Sequence, residues 1–417
     1  MKFYLAALII VSLNMQHVFS QNKVNVREKL QAFYDSPVDF KNQEPGSIDF
    51  GFGNGMQITS KDSTARLKVS LRFQTLFLAS KTMESNEKLE TNFLIRRARL
   101  KFDGFAFSPN LVYKVELGLS NRDISPRSDF DEVGQGSRLI LDAVLKWNFH
   151  KNFAFWVGQT KLPGNRERVI SSQNLQFVDR SLVNSWFNID RDIAIQMFSK
   201  FYVRKSYFVL AAAISNGEGR NIVQGNIGGF AYTGRIEFLP MGKFTGKGDY
   251  FGGDLFREDR PKLSLAFSYD FNHNASRSRG RLGSFVTDDS GDYILSNLTT
   301  YFADLMFKYQ GLSVMAEFAS RDSEVKAVGF ASGTALVAQL GYIINRPKFE
   351  NFEIAYRYTK VNPHSGSSLK ETAEYTLGVS KYFSKHSLKL QSDISLRETV
   401  GLNQKNIIYR IQSEFAF

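Results

Sequence analysis

The chain has 417 residues, 53 Lys and Arg against 41 Asp and Glu for a formal charge of +12, 14% aromatics and no cysteine. The missing thiols exclude a disulfide scaffold, thiolate metal sites and thiol chemistry. With a mean hydropathy of -0.26, the composition suits either a large soluble core or a membrane sheet that is apolar outside and polar inside.

Residues 1–20 place one cation, Lys2, before an apolar run from Phe3 to Leu13 and end on the small residue Ser20. That is the layout of a secretory signal peptide, removed on export and not a spanning helix. No other stretch approaches the ~20 apolar residues that a spanning helix needs. Loss of Lys2 with the leader lowers the charge from +12 to +11. In an exported protein nucleic acid is not the expected partner of that surplus. Cations along a cavity or against anionic lipid headgroups are, and they draw small anions. Residues 21–64, with Pro37, Pro45 and several glycines, read as an N-terminal periplasmic segment carrying a brief helix at 26–33.

From residue 65 a period of two sets in and hardly stops. Leu67, Val69, Leu71 and Phe73 share one face while Arg66, Lys68, Ser70 and Arg72 share the other. Strands alternate their side chains in this way. Over 92–104, Leu94, Ala98, Leu100 and Phe102 oppose Arg97, Arg99, Lys101 and Asp103; over 110–120, Leu111, Tyr113, Val115 and Leu117 oppose Lys114 and Glu116. Further strands are expected at 139–147, 152–159, 191–199, 207–215, 230–238, 262–271, 300–309, 312–321, 335–344, 351–360, 372–382, 388–397 and 405–417. In the last, Ile407, Tyr409, Ile411, Phe415 and Phe417 share one face. A closing strand that stops on an aromatic resembles those of bacterial outer-membrane barrels, which the barrel-assembly machinery reads; the alternation alone also suits the last strand of a soluble sandwich.

The connections separate those two. Stretches 78–91, 121–138, 160–190, 272–299, 322–334 and 361–371 are long; 105–109, 148–151, 310–311, 345–350 and 383–387 are tight. Long loops on one rim and tight turns on the other mark an outer-membrane barrel. The expected fold is therefore all-β: a transmembrane antiparallel β-barrel of about 16 strands over 65–417, closed so that no edge meets lipid. Residues 239–261, Gly-rich and long on the tight rim, are the exception.

The run Phe93-Leu94-Ile95-Arg96-Arg97-Ala98-Arg99-Leu100-Lys101-Phe102-Asp103-Gly104 resembles the second strand of the phosphate-selective porins O and P. The likeness returns in order at Val157-Gly158-Gln159-Thr160-Lys161-Leu162-Pro163, 167–172, Val178-Asp179-Arg180-Ser181, Ile214-Ser215-Asn216-Gly217, 234–240, Arg357-Tyr358 and Thr376-Leu377-Gly378-Val379. The resemblance implies a sixteen-stranded porin of the Gram-negative outer membrane, a homotrimer with an inward-folded third loop.

Seven cations have the inward parity: Arg72, Arg97, Arg99, Lys101, Lys114, Arg235 and Arg357. A row of them would hold an anion weakly at successive stations; the alternative is that they pair with Asp103, Glu116, Asp142, Glu237 or Glu353 and solvate the wall. Arg96 has the outward parity in mid-strand and has no assigned place. The third long loop adds Lys161, Arg166, Arg168 and Arg180, with Glu167 and Asp179 among them. It either folds into the lumen and narrows it, with Arg166 or Arg168 at the constriction, or stays outside. Asp288, Asp289 and Asp292 lack the spacing of a defined calcium loop and read as solvated surface. No GxSxG, HExxH or phosphate-cradling Gly-rich loop is present, so no catalytic residue and no cofactor is expected. The function that fits is passive diffusion of small anions, phosphate being a candidate, across the outer membrane with lipid around the barrel. The alternative is a non-conducting barrel that docks in a larger complex.

Overall fold

The computed structural model describes residues 46–83, 88–124, 139–223, 226–326, 329–346, 350–401 and 404–417. The leader and the helix expected at 26–33 lie outside them. A hairpin of β1 (Ile48–Gly51) and β2 (Gly55–Thr59) leads into β3 (Ala65–Thr82), β4 (Glu90–Ala106), β5 (Ser108–Gly118), β6 (Ile140–His150), β7 (Phe153–Lys161) and β8 (Arg191–Val203). The strands β9 (Ser206–Ser215), β10 (Ala231–Leu239), β11 (Lys262–Ala275), β12 (Ser296–Tyr309) and β13 (Leu312–Ser323) follow. The last five are β14 (Gly333–Ile344), β15 (Phe352–Pro363), β16 (Thr372–Ser384), β17 (Leu388–Thr399) and β18 (Gln404–Ala416).

Strands β3 to β18 each pair antiparallel with the next, and β18 returns to β3, from Asn406 opposite Thr82 to Ala416 opposite Arg72. The result is a closed sixteen-stranded antiparallel barrel. The alternation that predicted it is visible in β15, where Ile354 and Tyr356 are each 46% exposed while the adjacent Glu353 and Arg357 are 0% and 1%. Apolar side chains facing out and charges buried inside suit lipid outside and a polar lumen. The turn at Gln310-Gly311 has positive φ at both residues, 48° and 96°, the geometry of a two-residue hairpin matched to strand twist.

The sheet begins before residue 65. Strand β2 pairs with the start of β3, from Met56 opposite Val69 to Thr59 opposite Arg66. It continues the edge of β3 that β18 leaves at Arg72. Phe50 and Phe52 pack against the terminal aromatics, with ring centroids 5.7 Å from Phe417 and 5.5 Å from Phe415. Strands of four and five residues are too short to show a period, and the glycines around them read as loop.

Arg96 finds its place through a β-bulge. Gln74 pairs with Arg97 but Thr75 pairs with Ile95, so Arg96 is an extra residue on β4. The insertion resets the alternation. Arg96 turns inward and is buried, and Leu94, expected on the same face as Ala98 and Leu100, is paired instead with the buried Leu76. Phe93 and Ile95, 79% and 61% exposed against 40% for Leu94, take the outer face.

Two connections fold into the lumen. Residues 162–190 come from the long-loop rim and carry the helical turn Arg166–Val169 and the short helix Leu182–Phe187. Their Leu162, Ile170, Leu175, Val183 and Phe187 form one buried cluster with Phe302, Met306, Met315, Val337 and Val361 of the wall. Residues 240–261 enter from the tight-turn rim with a 3-10 turn at Thr245–Tyr250. Lys308 Nζ donates to the carbonyls of Gly248 and Phe251 at 2.8 and 2.9 Å and also to that of Gly253. The two inserts meet where Gly252 N donates to Asn174 O at 2.6 Å. A Cβ at Gly252 would stand 2.5 Å from Gln176 N, so only glycine permits that approach.

Candidate functional site

The inserts fill much of the lumen against β12–β15, and open space remains mainly along the inner face of β4–β10, with Glu374, Arg397 and Arg410 of β16–β18 also on its border. It forms a cavity of about 1050 Å³. Among the described residues seventeen lysines and arginines line it against seven carboxylates, so its field is cationic.

Seven of the eleven expected cations border the cavity: Arg97, Arg99, Lys114, Lys161, Arg168, Arg180 and Arg235. Four of these are held by carboxylates. Arg99 Nη1 lies 2.8 Å from Glu116 and its Nη2 3.4 Å from Asp123. Lys114 Nζ lies 2.8 Å from Glu116 and 2.7 Å from Asp142. Arg235 is clamped by Glu237 at 2.6 Å and Asp304 at 2.7 Å, and Arg168 pairs with Asp190.

The other three are bound by neutral groups. Arg97 Nη1 donates to Gln74 Oε1 at 2.5 Å. Lys161 Nζ donates to the carbonyl of Arg168 at 2.9 Å, closing the C-terminus of the helical turn. Arg180 donates to the carbonyls of Glu167 and Ile170, both at 2.7 Å. Among the described residues none of the three has a carboxylate within 4.0 Å. Carbonyl and amide oxygens orient a cation without cancelling its charge.

The insert carries the electrostatic signature of crowded cations. Burial pushes the Arg168 guanidinium well below its ordinary value, and Arg180 and Arg191 push the same way. Burial lowers Arg180 to about 10 against the pull of Glu167, with Arg191 adding to the fall. Burial would raise Asp179, but Arg96, Arg410 and Arg97 hold it below the usual carboxylate range. Asp179 also pairs directly with Arg96, tying the insert to the bulge.

Arg72, Lys101, Arg166 and Arg357 do not line the cavity. Arg72 Nη2 donates to Ser172 Oγ at 2.6 Å, and Lys101 pairs with Asp103 at 2.9 Å. Arg357 donates to Asp179 O at 2.7 Å and lies 3.5 Å from Glu374. Arg166 is 0% exposed, donating to Asp304 at 2.8 Å and to Ser264 Oγ at 2.9 Å. Three of these four anchor the insert.

Several lining cations were not singled out from the sequence, among them Arg191, Lys200, Lys247 and Arg410. Arg410 shares the inner parity of Gln412 and Glu414, a legible signal, and meets Asp393 at 2.6 Å. Arg191 begins β8 and chelates Asp142 at 2.9 and 3.2 Å; at a strand end parity says nothing.

The sequence profile of phosphate-selective porin O and P matches residues 67–406. An uncharacterized protein of Aquifex aeolicus is 22% identical over 384 residues, 84% of this chain and 87% of its own length. Of solved structures, OprB of Pseudomonas putida is similar with a TM-score of 0.54 at 11% identity, covering 84% of this chain and 94% of that one. The anion-selective porin from Comamonas acidovorans has a TM-score of 0.52 at 10% identity, covering 85% and 100%. The outer membrane channel DcaP of Acinetobacter baumannii has a TM-score of 0.52 at 12% identity, covering 87% and 100%. At these identities the solved structures speak to fold alone.

Proposed function

The chain belongs to the phosphate-selective porin O and P family, whose profile spans most of it, and from that premise we propose a passive, anion-preferring diffusion pore with oxyanions such as phosphate as candidate solutes. It is an outer-membrane porin of a Gram-negative bacterium, a transport protein rather than a catalyst. The observation that carries the anion preference is the set Arg97, Lys161 and Arg180, which border the cavity with neutral partners only. Uncompensated fixed cations raise local anion concentration and repel cations. The planar fork of arginine suits oxyanions, and stations that hold weakly let an ion enter and leave. The family's description as phosphate-selective and the Comamonas porin's as anion-selective agree with this reading.

The test is the reversal potential of the purified pore in a planar bilayer under a salt gradient. The expected sign is that of an anion-preferring pore. Replacing Arg97, Lys161 and Arg180 together by glutamine should move it toward non-selective. The shift should be larger at 0.1 M, where screening reaches ~10 Å, than at 1 M, where it reaches ~3 Å. A cation-selective pore overturns the proposal. One observation favours a rival, a non-conducting docking barrel: the two inserts meet inside the lumen at Gly252 and Asn174. An inserted barrel that passes no current would support that rival.

A further inference from the structure

The cavity changes character along its length. Toward the long-loop rim its lining is guanidinium-rich; toward the tight-turn rim it holds an aromatic pair among lysines. Trp156 of β7 and Phe198 of β8 have ring centroids 4.3 Å apart and planes 40° apart. Trp156 is two inward positions below Thr160, roughly 13 Å at ~3.3 Å per residue. Lys146 Nζ sits 3.8 Å from the indole centroid and covers one face. The indole Nε1 is buried without a hydrogen-bond acceptor among the described residues, a donor whose burial calls for a partner.

Beside the rings the floor is apolar. Ala211 lies opposite Phe198 and Val209 opposite Lys200, and all four line the cavity. Lys200 is the next inward residue of β8, and Lys247 of the 240–261 insert borders the same space. Both side chains are exposed and, with Lys146, have no carboxylate within 4.0 Å among the described residues. Tyr250 adds a third ring, its hydroxyl donating to Glu237 at 2.8 Å.

We propose that this end of the cavity is a subsite for organic anions that carry a planar ring, such as aryl phosphates and aryl carboxylates. The ring lies against Phe198 and Trp156, over Ala211 and Val209, while Lys200 and Lys247 hold the anionic group. An inorganic oxyanion uses the lysines but leaves the rings idle. The proposal rests on the anion-pore reading and adds to it which anions the pore retains.

Block of the chloride current through the full-length pore tests it, with phenyl phosphate and inorganic phosphate as probes. The expected result is block by phenyl phosphate at about one tenth the concentration that inorganic phosphate needs, the scale of one ring stack. Trp156→Leu or Phe198→Leu should bring the two concentrations together, and Trp156→Phe should keep most of the difference. Should the leucine variants fail to insert, Lys200→Gln combined with Lys247→Gln alters two exposed side chains and should weaken phenyl phosphate block severalfold. Equal block by both probes in an anion-selective native pore overturns the subsite and leaves the anion pore standing. A cation-selective native pore overturns both.

Discussion

The inner face of the barrel has two halves that obey different rules. Along β12–β14 the wall presents Phe302, Met306, Met315 and Val337 to the insert and is covered by it. Asp304 of that wall pairs with Arg166 of the insert, while Glu317 accepts from neutral donors, Asn165 Nδ2 at 2.9 Å and Glu167 N at 3.1 Å. Along β4–β10 the wall faces open space, and beside paired groups such as Arg99 and Lys114 it keeps Arg97 with an amide as its partner. One half is an interior in the sense of a folded domain; the other is a conduit. A cation's parity on a strand says only that it points inward, and which half it points into decides whether it is an anchor or a station.

The largest break in that contrast comes from removing the covered half's insert. Deleting residues 165–178 strips Ile170 and Leu175 from the buried cluster and removes Arg166 from Asp304. Single-channel conductance should rise severalfold, and an unchanged conductance in a correctly folded barrel would refute the assignment of this insert as the element that narrows the lumen.

Next comes Arg166→Leu, which leaves Asp304 with Arg235 alone. Asp304 keeps one cation, so the cost should fall below the ~3–5 kcal/mol of stranding a buried charge. The insert should loosen, seen as faster hydrogen exchange over 162–190 and a noisier open current while the barrel strands stay protected.

A subtler comparison sets paired against unpaired cations on the conduit side. Arg97→Gln with Arg180→Gln should reduce anion selectivity more than Arg99→Gln with Lys114→Gln, because Glu116 and Asp142 already offset the latter. Equal shifts in reversal potential would remove the distinction.

The smallest expected effect is one of pH. Burial raises Asp249 to about 6, Arg166 opposing and Glu237 adding to the rise. A carboxyl raised in the folded state binds its proton before the unfolded chain does, so falling pH through about 6 toward its ordinary value stabilises the fold around it. Protection of 245–253 against hydrogen exchange, corrected for the intrinsic rate, should increase from pH 7 to pH 5. Asp249→Asn should flatten that dependence.

The family's inward-folded third loop was expected by resemblance, and the structure adds what holds it there. The inner parity of β12–β15 contains Phe302, Met315, Val337 and Val361, apolar residues where a water-filled pore would have polar ones. Large apolar residues interspersed on an inner face ask for protein rather than water against them. That signal is present in the chain. The second insert shows in the sequence only as an anomalous length at 239–261; in the lumen Lys308, a single residue of β12, donates to three of its carbonyls.

What the sequence determined by itself is the barrel: sixteen strands, their order and their two faces, because a period of two is a local property of backbone geometry and each strand pairs with the next one along the chain. The bulge at Arg96 was not determined locally, since an extra residue reveals itself only by its partner on β3. Nor was the fate of the cations. Arg97 and Arg99 are two residues apart on one face of one strand, yet Arg99 meets Glu116 and Asp123 while Arg97 meets only Gln74. Charge pairing in a lumen is settled by residues on neighbouring elements, here 17 to 24 positions away, and by which part of the wall the inserts cover.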